Sequence, residues 1–151
     1  MGSKNPFSYE IPASRERLGE LYDSLSPIER LPPGISRDEF IVAMEAADAS
    51  YAVVIDGRLA GVAVVCDRGS VREMAFTKTA YLTERRRITF ARNIPHLLAN
   101  LQWAESRRPP HGFSLFMHRP DDDASADWFI RCGCSEYRPD WLKIPDEKEV
   151  F

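Results

Sequence analysis

Apolar and polar residues alternate along this chain with two different periods, one suited to strands and one to helices. Phe7-Ser8-Tyr9-Glu10-Ile11 alternates in steps of two, which predicts a half-buried first strand stopped by Pro12. Leu18, Leu21, Tyr22 and Leu25 then recur at i, i+3, i+4 and i+7, one stripe on a helix that Ser14 can cap. Pro27 and Pro32-Pro33-Gly34 break the chain before a second helix. There Ser36 and Glu39 have the spacing of a capping box, and Phe40, Ile41, Met44 and Ala47 supply a buried face. Tyr51 to Ile55 and Leu59 to Val65 flank Asp56-Gly57, a pair that accepts the positive φ values of a tight hairpin turn. Their density of Val and Ile predicts strands covered on both faces.

The second half of the chain is punctuated by prolines. A loop at Asp67-Arg68-Gly69-Ser70 leads into a fourth strand, Val71 to Thr79. The longest helical pattern runs from Thr83 to Glu105, with Ile88, Ala91, Ile94, Leu98 and Leu101 on one side. Pro95 lacks an N–H and crowds the preceding turn, so it should kink that helix or end its first half. After a loop at Arg107-Arg108-Pro109-Pro110, Gly112 to His118 predicts a fifth strand and Ala124 to Cys132 a short helix closed by Gly133. Ser135 to Ile144 has strand character broken by Pro139.

A chain of 151 residues matches one domain, 1–151, with residues 1–6 expected to form a flexible N-terminus and 146–151 a polar tail. The 44% hydrophobic and 28% charged shares are those of a folded protein rather than a disordered one. No stretch approaches the roughly 20 apolar residues of a membrane helix, and the N-terminus has no apolar signal core, so a cytoplasmic protein is expected. The net charge of −3 leaves no footprint for nucleic acid, so any phosphate binding must be local. Cys66, Cys132 and Cys134 read as free thiols, and neither they nor His96, His111 and His118 have metal-ligand spacing. Asp121-Asp122-Asp123 stands before a helix, where aspartates cap and complement the dipole. Trp103, Trp128 and Trp141 are large groups that fill cores or interfaces.

One local feature points to an anion. Arg85-Arg86-Arg87 falls in the opening turn of the long helix, where unpaired N–H groups and the macrodipole already place positive charge. A phosphate bound there would turn a local cost into a gain. The other reading has the arginines fanning out to Glu84, Glu73 or solvent.

The order strand, helix, helix, three strands, helix, strand, helix, strand resembles that of the GNAT (Gcn5-related N-acetyltransferase) superfamily over essentially the whole chain. The Val53 to Val65 hairpin, the Arg-rich helix start, and Trp128-Phe129 followed by Gly133 carry the likeness. A narrower likeness is to GNAT-like proteins of tailed phages, with their Ala-Val-Val-x-Asp-Gly hairpin. The resemblance implies an α/β (α+β) fold, a mixed, mostly antiparallel sheet of about six strands flanked by about four helices. It also implies acetyl-CoA or another acyl-CoA as cofactor. Arg86-x-x-Thr89-x-Ala91 is similar to the family's pyrophosphate-binding pattern, with Thr89 standing where that pattern has its first Gly. Arg85, Arg86, Arg87, Thr89 and Ala91 would then grip phosphates, and the amides around Phe76, Thr77 and Lys78 would hold the pantetheine arm.

Acetyl transfer to a primary amine needs a base and an acid. Glu73 is the one carboxylate within the fourth strand and the candidate base. Phe129 stands where the family presents a tyrosine, which leaves Tyr137, or Ser125, as the candidate acid. Two functions follow: an acyl-CoA-dependent N-acyltransferase, or a catalytically silent GNAT-like module that binds a host or virion protein.

Overall fold

The computed structural model describes residues 5–30, 32–69, 71–79 and 84–145, without the side chains of 84–86 and 138. The expected tail at 146–151 and most of the expected flexible start lie outside them. Among the described residues, seven strands and five helices follow the order β1 (Phe7–Glu10), α1 (Arg15–Ser24), α2 (Arg37–Glu45), β2 (Ala49–Ile55), β3 (Arg58–Arg68), β4 (Val71–Lys78), α3 (Glu84–Arg92), α4 (Ile94–Arg107), β5 (Ser114–His118), α5 (Asp123–Arg131), β6 (Ser135–Arg138) and β7 (Trp141–Lys143). The extra elements arise where proline was expected to interrupt. Pro139 falls between β6 and β7, and the long helix divides at Asn93. The division comes before Pro95 rather than at it, because a new helix can begin with proline in its first turn, where its missing N–H costs nothing.

The strands form one sheet in the order β1-β2-β3-β4-β5-β7-β6. Pairings β1·β2, β2·β3, β5·β7 and β6·β7 are antiparallel, and β4·β5 is parallel. Asp56 and Gly57 take φ values of 52° and 78°, and Ile55 faces Arg58 across the turn. Contrary to the expected loop, Asp67 and Arg68 continue β3.

The chain gathers into two compact units. The first holds the described residues up to Cys66 together with Phe76–Ile88. Its core joins the α1 stripe of Leu18, Leu21 and Leu25 to Phe40 and Ile41 of α2 and to Ala52, Leu59 and Val62 of the hairpin. Ser14 and Ser36 cap the two helices by accepting from Arg17 N–H and Glu39 N–H. Tyr22 packs tilted against Phe40, 5.4 Å between centroids, and donates its hydroxyl to Ile35 O at 2.7 Å.

The second unit holds Asp67–Ala75 and the described residues from Thr89 onward. Leu97, Leu98 and Leu101 of α4 are buried in it, as are Leu115 and Met117 of β5 and Ala126 of α5. Ile88, expected on the buried side of the long helix, is instead 52% exposed, and Trp103, expected in a core or an interface, is 51% exposed and outside the core. The Arg107 guanidinium lies over the Trp103 ring at 4.2 Å, which lets that indole remain at the surface. Asp122 caps α5 by accepting from Ser125 N–H at 2.8 Å.

Candidate functional site

The end of β4 and one residue of α3 line an open cleft of about 470 Å³. Its walls are Phe76, Thr77, Lys78, Thr79, Arg87, Leu25 and Glu29, all of the first unit. Three features of the sequence put the strand end there. Thr79 is buried and locks back onto β3, its N–H donating to Ala60 O at 2.9 Å and its hydroxyl to Leu59 O at 2.9 Å. Gly61 lets the two strands approach, because a Cβ there would strike the Thr77 carbonyl and the Phe76 ring. Finally, the register of β4 with β5 runs only from Val71↔Ser114 to Met74↔Met117, so Phe76–Lys78 lie beyond it.

The charges of the cleft are mixed. Lys78 and Arg87 are exposed cations. Glu29 sits in a turn, its Oε1 accepting from Ser26 N–H at 2.8 Å, and that bond holds its carboxyl below the usual range. Two cations and a strand backbone can bind an anionic, extended ligand.

Phe76, Thr77, Lys78 and Arg87 therefore meet in one place. Arg85 and Arg86 share α3 with Arg87, but their side chains lie outside the described residues. Thr89 and Ala91 stand past the first turn of α3, where helical N–H groups already have partners. Their carbonyls are also taken, by Asn93 Nδ2 at 2.8 Å and Trp128 Nε1 at 2.7 Å.

Glu73 and Tyr137 belong to the second unit. Glu73 pairs in register with Phe116, and the Tyr137 ring packs on Phe116 at 4.6 Å between centroids, so both candidates border one residue. Arg68 donates to Glu73 Oε2 at 2.8 Å, an ion pair that is largely exposed. Tyr137 is 50% exposed. Burial pushes the Cys132 thiol up and the Cys134 thiol to about 12, which leaves both un-ionised and poor nucleophiles at neutral pH. No cluster of His, Cys, Asp or Glu among the described residues could hold a metal ion.

Sequence reading missed a buried ionic network beside the candidate base. Arg72 is 2% exposed, and its guanidinium donates to the carbonyls of Glu105 (2.8 Å), Arg108 (3.1 Å) and Pro110 (2.8 Å). The Glu105 carboxylate, 3% exposed, lies 3.5 Å from Arg72, and Asp67 lies 3.1 Å from its Nε, though without hydrogen-bond alignment. Arg108 closes the ring, donating to Glu105 and Asp67 at 2.8 and 2.7 Å. Hydrogen bonding to Glu105, and then to Asp67, raises Arg108 above its ordinary value. The only sequence signal was an arginine in the middle of a strand.

No family model and no curated protein matches this chain. Solved structures do. The GNAT domain of PAT from S. lividans superposes with a TM-score of 0.60 at 15% identity, covering 90% of this chain and 87% of that one. YhhK from E. coli, solved bound to coenzyme A, gives 0.54 at 14% identity, covering 92% and 98%. A GNAT family acetyltransferase from Brucella melitensis, in complex with acetyl-CoA, gives 0.52 at 14% identity, covering 95% and 92%. The chain has the GNAT fold, with seven strands and five helices among the described residues where about six and about four were expected. Among the described residues no helix is long and apolar enough to cross a membrane.

Proposed function

We propose that this chain is an acyl-CoA-dependent N-acyltransferase acting on a primary amine. The observation that carries the reading is the cleft at the end of β4, where strand backbone meets Lys78 and Arg87. Its residues suit the coenzyme: the cations complement phosphates, the strand offers amides, and the volume falls in the range of small-molecule sites. Solved proteins of this fold hold coenzyme A or acetyl-CoA, which supports the same choice. Lys78 and Arg87 would hold phosphates, joined by Arg85 and Arg86, while the backbone of Phe76–Lys78 would align the pantetheine arm. When bound, acyl-CoA supplies an acyl group activated as a thioester. Glu73 would accept the amine's proton at a carboxylate oxygen, directly or through water, and the Tyr137 hydroxyl would give one to the departing thiolate.

Thermal melting with acetyl-CoA tests this reading. At about 100 times its dissociation constant the coenzyme should add roughly 2.7 kcal/mol, raising the midpoint by about 5–10 °C. Lys78→Ala/Arg87→Ala should abolish the rise. An unmoved wild-type midpoint at millimolar coenzyme would falsify the proposal.

The Arg68–Glu73 ion pair, together with Phe129 in place of a hydroxyl, favours a second reading. Here the scaffold is catalytically silent and binds a host or virion protein. Coenzyme binding without turnover on any of a panel of primary amines would favour it.

A further inference from the structure

The last four carbonyls of an α-helix have no partner within the helix. At the end of α3 most of the donors that serve them can be named. Asn93 N–H turns back to Phe90 O at 3.1 Å, and Asn93 Nδ2 reaches Thr89 O at 2.8 Å. Ala91 is a different case. In a continuous helix its carbonyl would accept from the amide of residue 95, and residue 95 is proline, which has no N–H and a ring that crowds that same carbonyl. The helix divides at Asn93, and the indole of Trp128, 37 residues further along on α5, donates to Ala91 O at 2.7 Å. Both residues lie in the second unit. An indole has one donor and no acceptor, so this bond commits the whole polar capacity of a half-buried side chain.

We propose that Trp128 is a positioning residue: its indole N–H replaces the one Pro95 withholds, fixing the last turn of α3 and, one turn earlier on the same helix, Arg87. The cap stands on its own geometry, and the consequence for Arg87 rests on the coenzyme reading. Arg87 is exposed and is placed by its helix, so the order of α3 decides where its charge is held.

The test is a cycle of Trp128→Phe, Pro95→Ala and the double variant, read by amide hydrogen exchange at Thr89 to Arg92 and by acetyl-CoA affinity. Phenylalanine keeps most of the ring and removes only the donor. Trp128→Phe should speed exchange about three- to tenfold, the loss expected for one neutral hydrogen bond. Adding Pro95→Ala restores a backbone N–H at position 95, and the double variant should return most of the way to wild type. Affinity should fall and recover with it. Exchange unchanged by Trp128→Phe, or two effects that simply add, would overturn the cap. Full affinity in a Trp128→Phe protein whose α3 has loosened would overturn the role in placing Arg87. A wild type that does not bind acetyl-CoA withdraws the coenzyme reading, and the exchange cycle still decides the cap. Should Trp128→Phe fail to fold, a folded double variant is the compensation expected, and failure of both would overturn the cap, because an N–H restored at position 95 would then not compensate.

Discussion

The two units are held together by different chemistry. In the first, Leu18 and Leu21 are fully buried against Ala52, Leu59 and Val62, and the buried residues of that cluster are apolar. Each such side chain contributes about 1.5–3 kcal/mol by leaving water. In the second, Arg72 and Glu105 are almost as deeply buried as those leucines, among carbonyls and carboxylates. Desolvating two charges offsets most of their attraction, so this network adds little net stability. Its effect is selective: Arg72 accepts only an arrangement that brings Asp67 and the carbonyls of Glu105, Arg108 and Pro110 around it. Apolar packing tolerates small shifts, whereas a guanidinium with three carbonyl acceptors tolerates almost none.

The sharpest break of this contrast is Arg72→Ala. It strands three carbonyls and leaves Glu105 with Arg108 as its cation, and urea unfolding should show a loss of about 3–5 kcal/mol. Replacing the pair by apolar groups, Arg72→Met with Glu105→Leu, should recover the part due to the buried carboxylate but not the part due to the three carbonyls; equal losses in both variants would mean the network is ordinary packing. Leu21→Ala should cost about 2–4 kcal/mol, with no dependence on pH. Asp67→Asn should have the smallest effect, about 1–2 kcal/mol at neutral pH. A hydrogen bond from Arg108, then its charge and that of Arg72, hold the Asp67 carboxyl below its usual range. A lowered folded value means that the contribution is complete above the unfolded value, about 3.9, and is lost as pH falls through the folded one. The gap between wild type and Asp67→Asn should therefore close on acidification below about pH 4, while that of Leu21→Ala stays open. An Asp67→Asn gap that persists at pH 2 would remove the carboxylate from the network.

The same contrast explains what could be read in advance. Apolar stripes repeat within a few residues, so α1, α2, the Asp56-Gly57 hairpin and the caps at Ser14, Ser36 and Asp122 were legible from local pattern. Arg72 looks like a surface residue until Glu105 and Arg108, 33 and 36 residues away, close on it. Pro95 announced a break but not its position, because the chain resolves the clash upstream at Asn93. Ile88 fitted the stripe of one long helix and fell off it when that helix became two. In the cleft, Arg87 was legible as charge, and Lys78 only through the amides of its strand. The contributions of Leu25 and Glu29 were not, since nothing local ties the stretch after α1 to the end of β4.

The thiol of Cys134, held near 12 by its surroundings, gives this protein a built-in clock. Alkylating agents consume thiolate, and in the native state this sulfur carries almost none. Cys134 is also only 3% exposed, so its rate of alkylation should follow how often the strand beside Gly133 comes away from its neighbours.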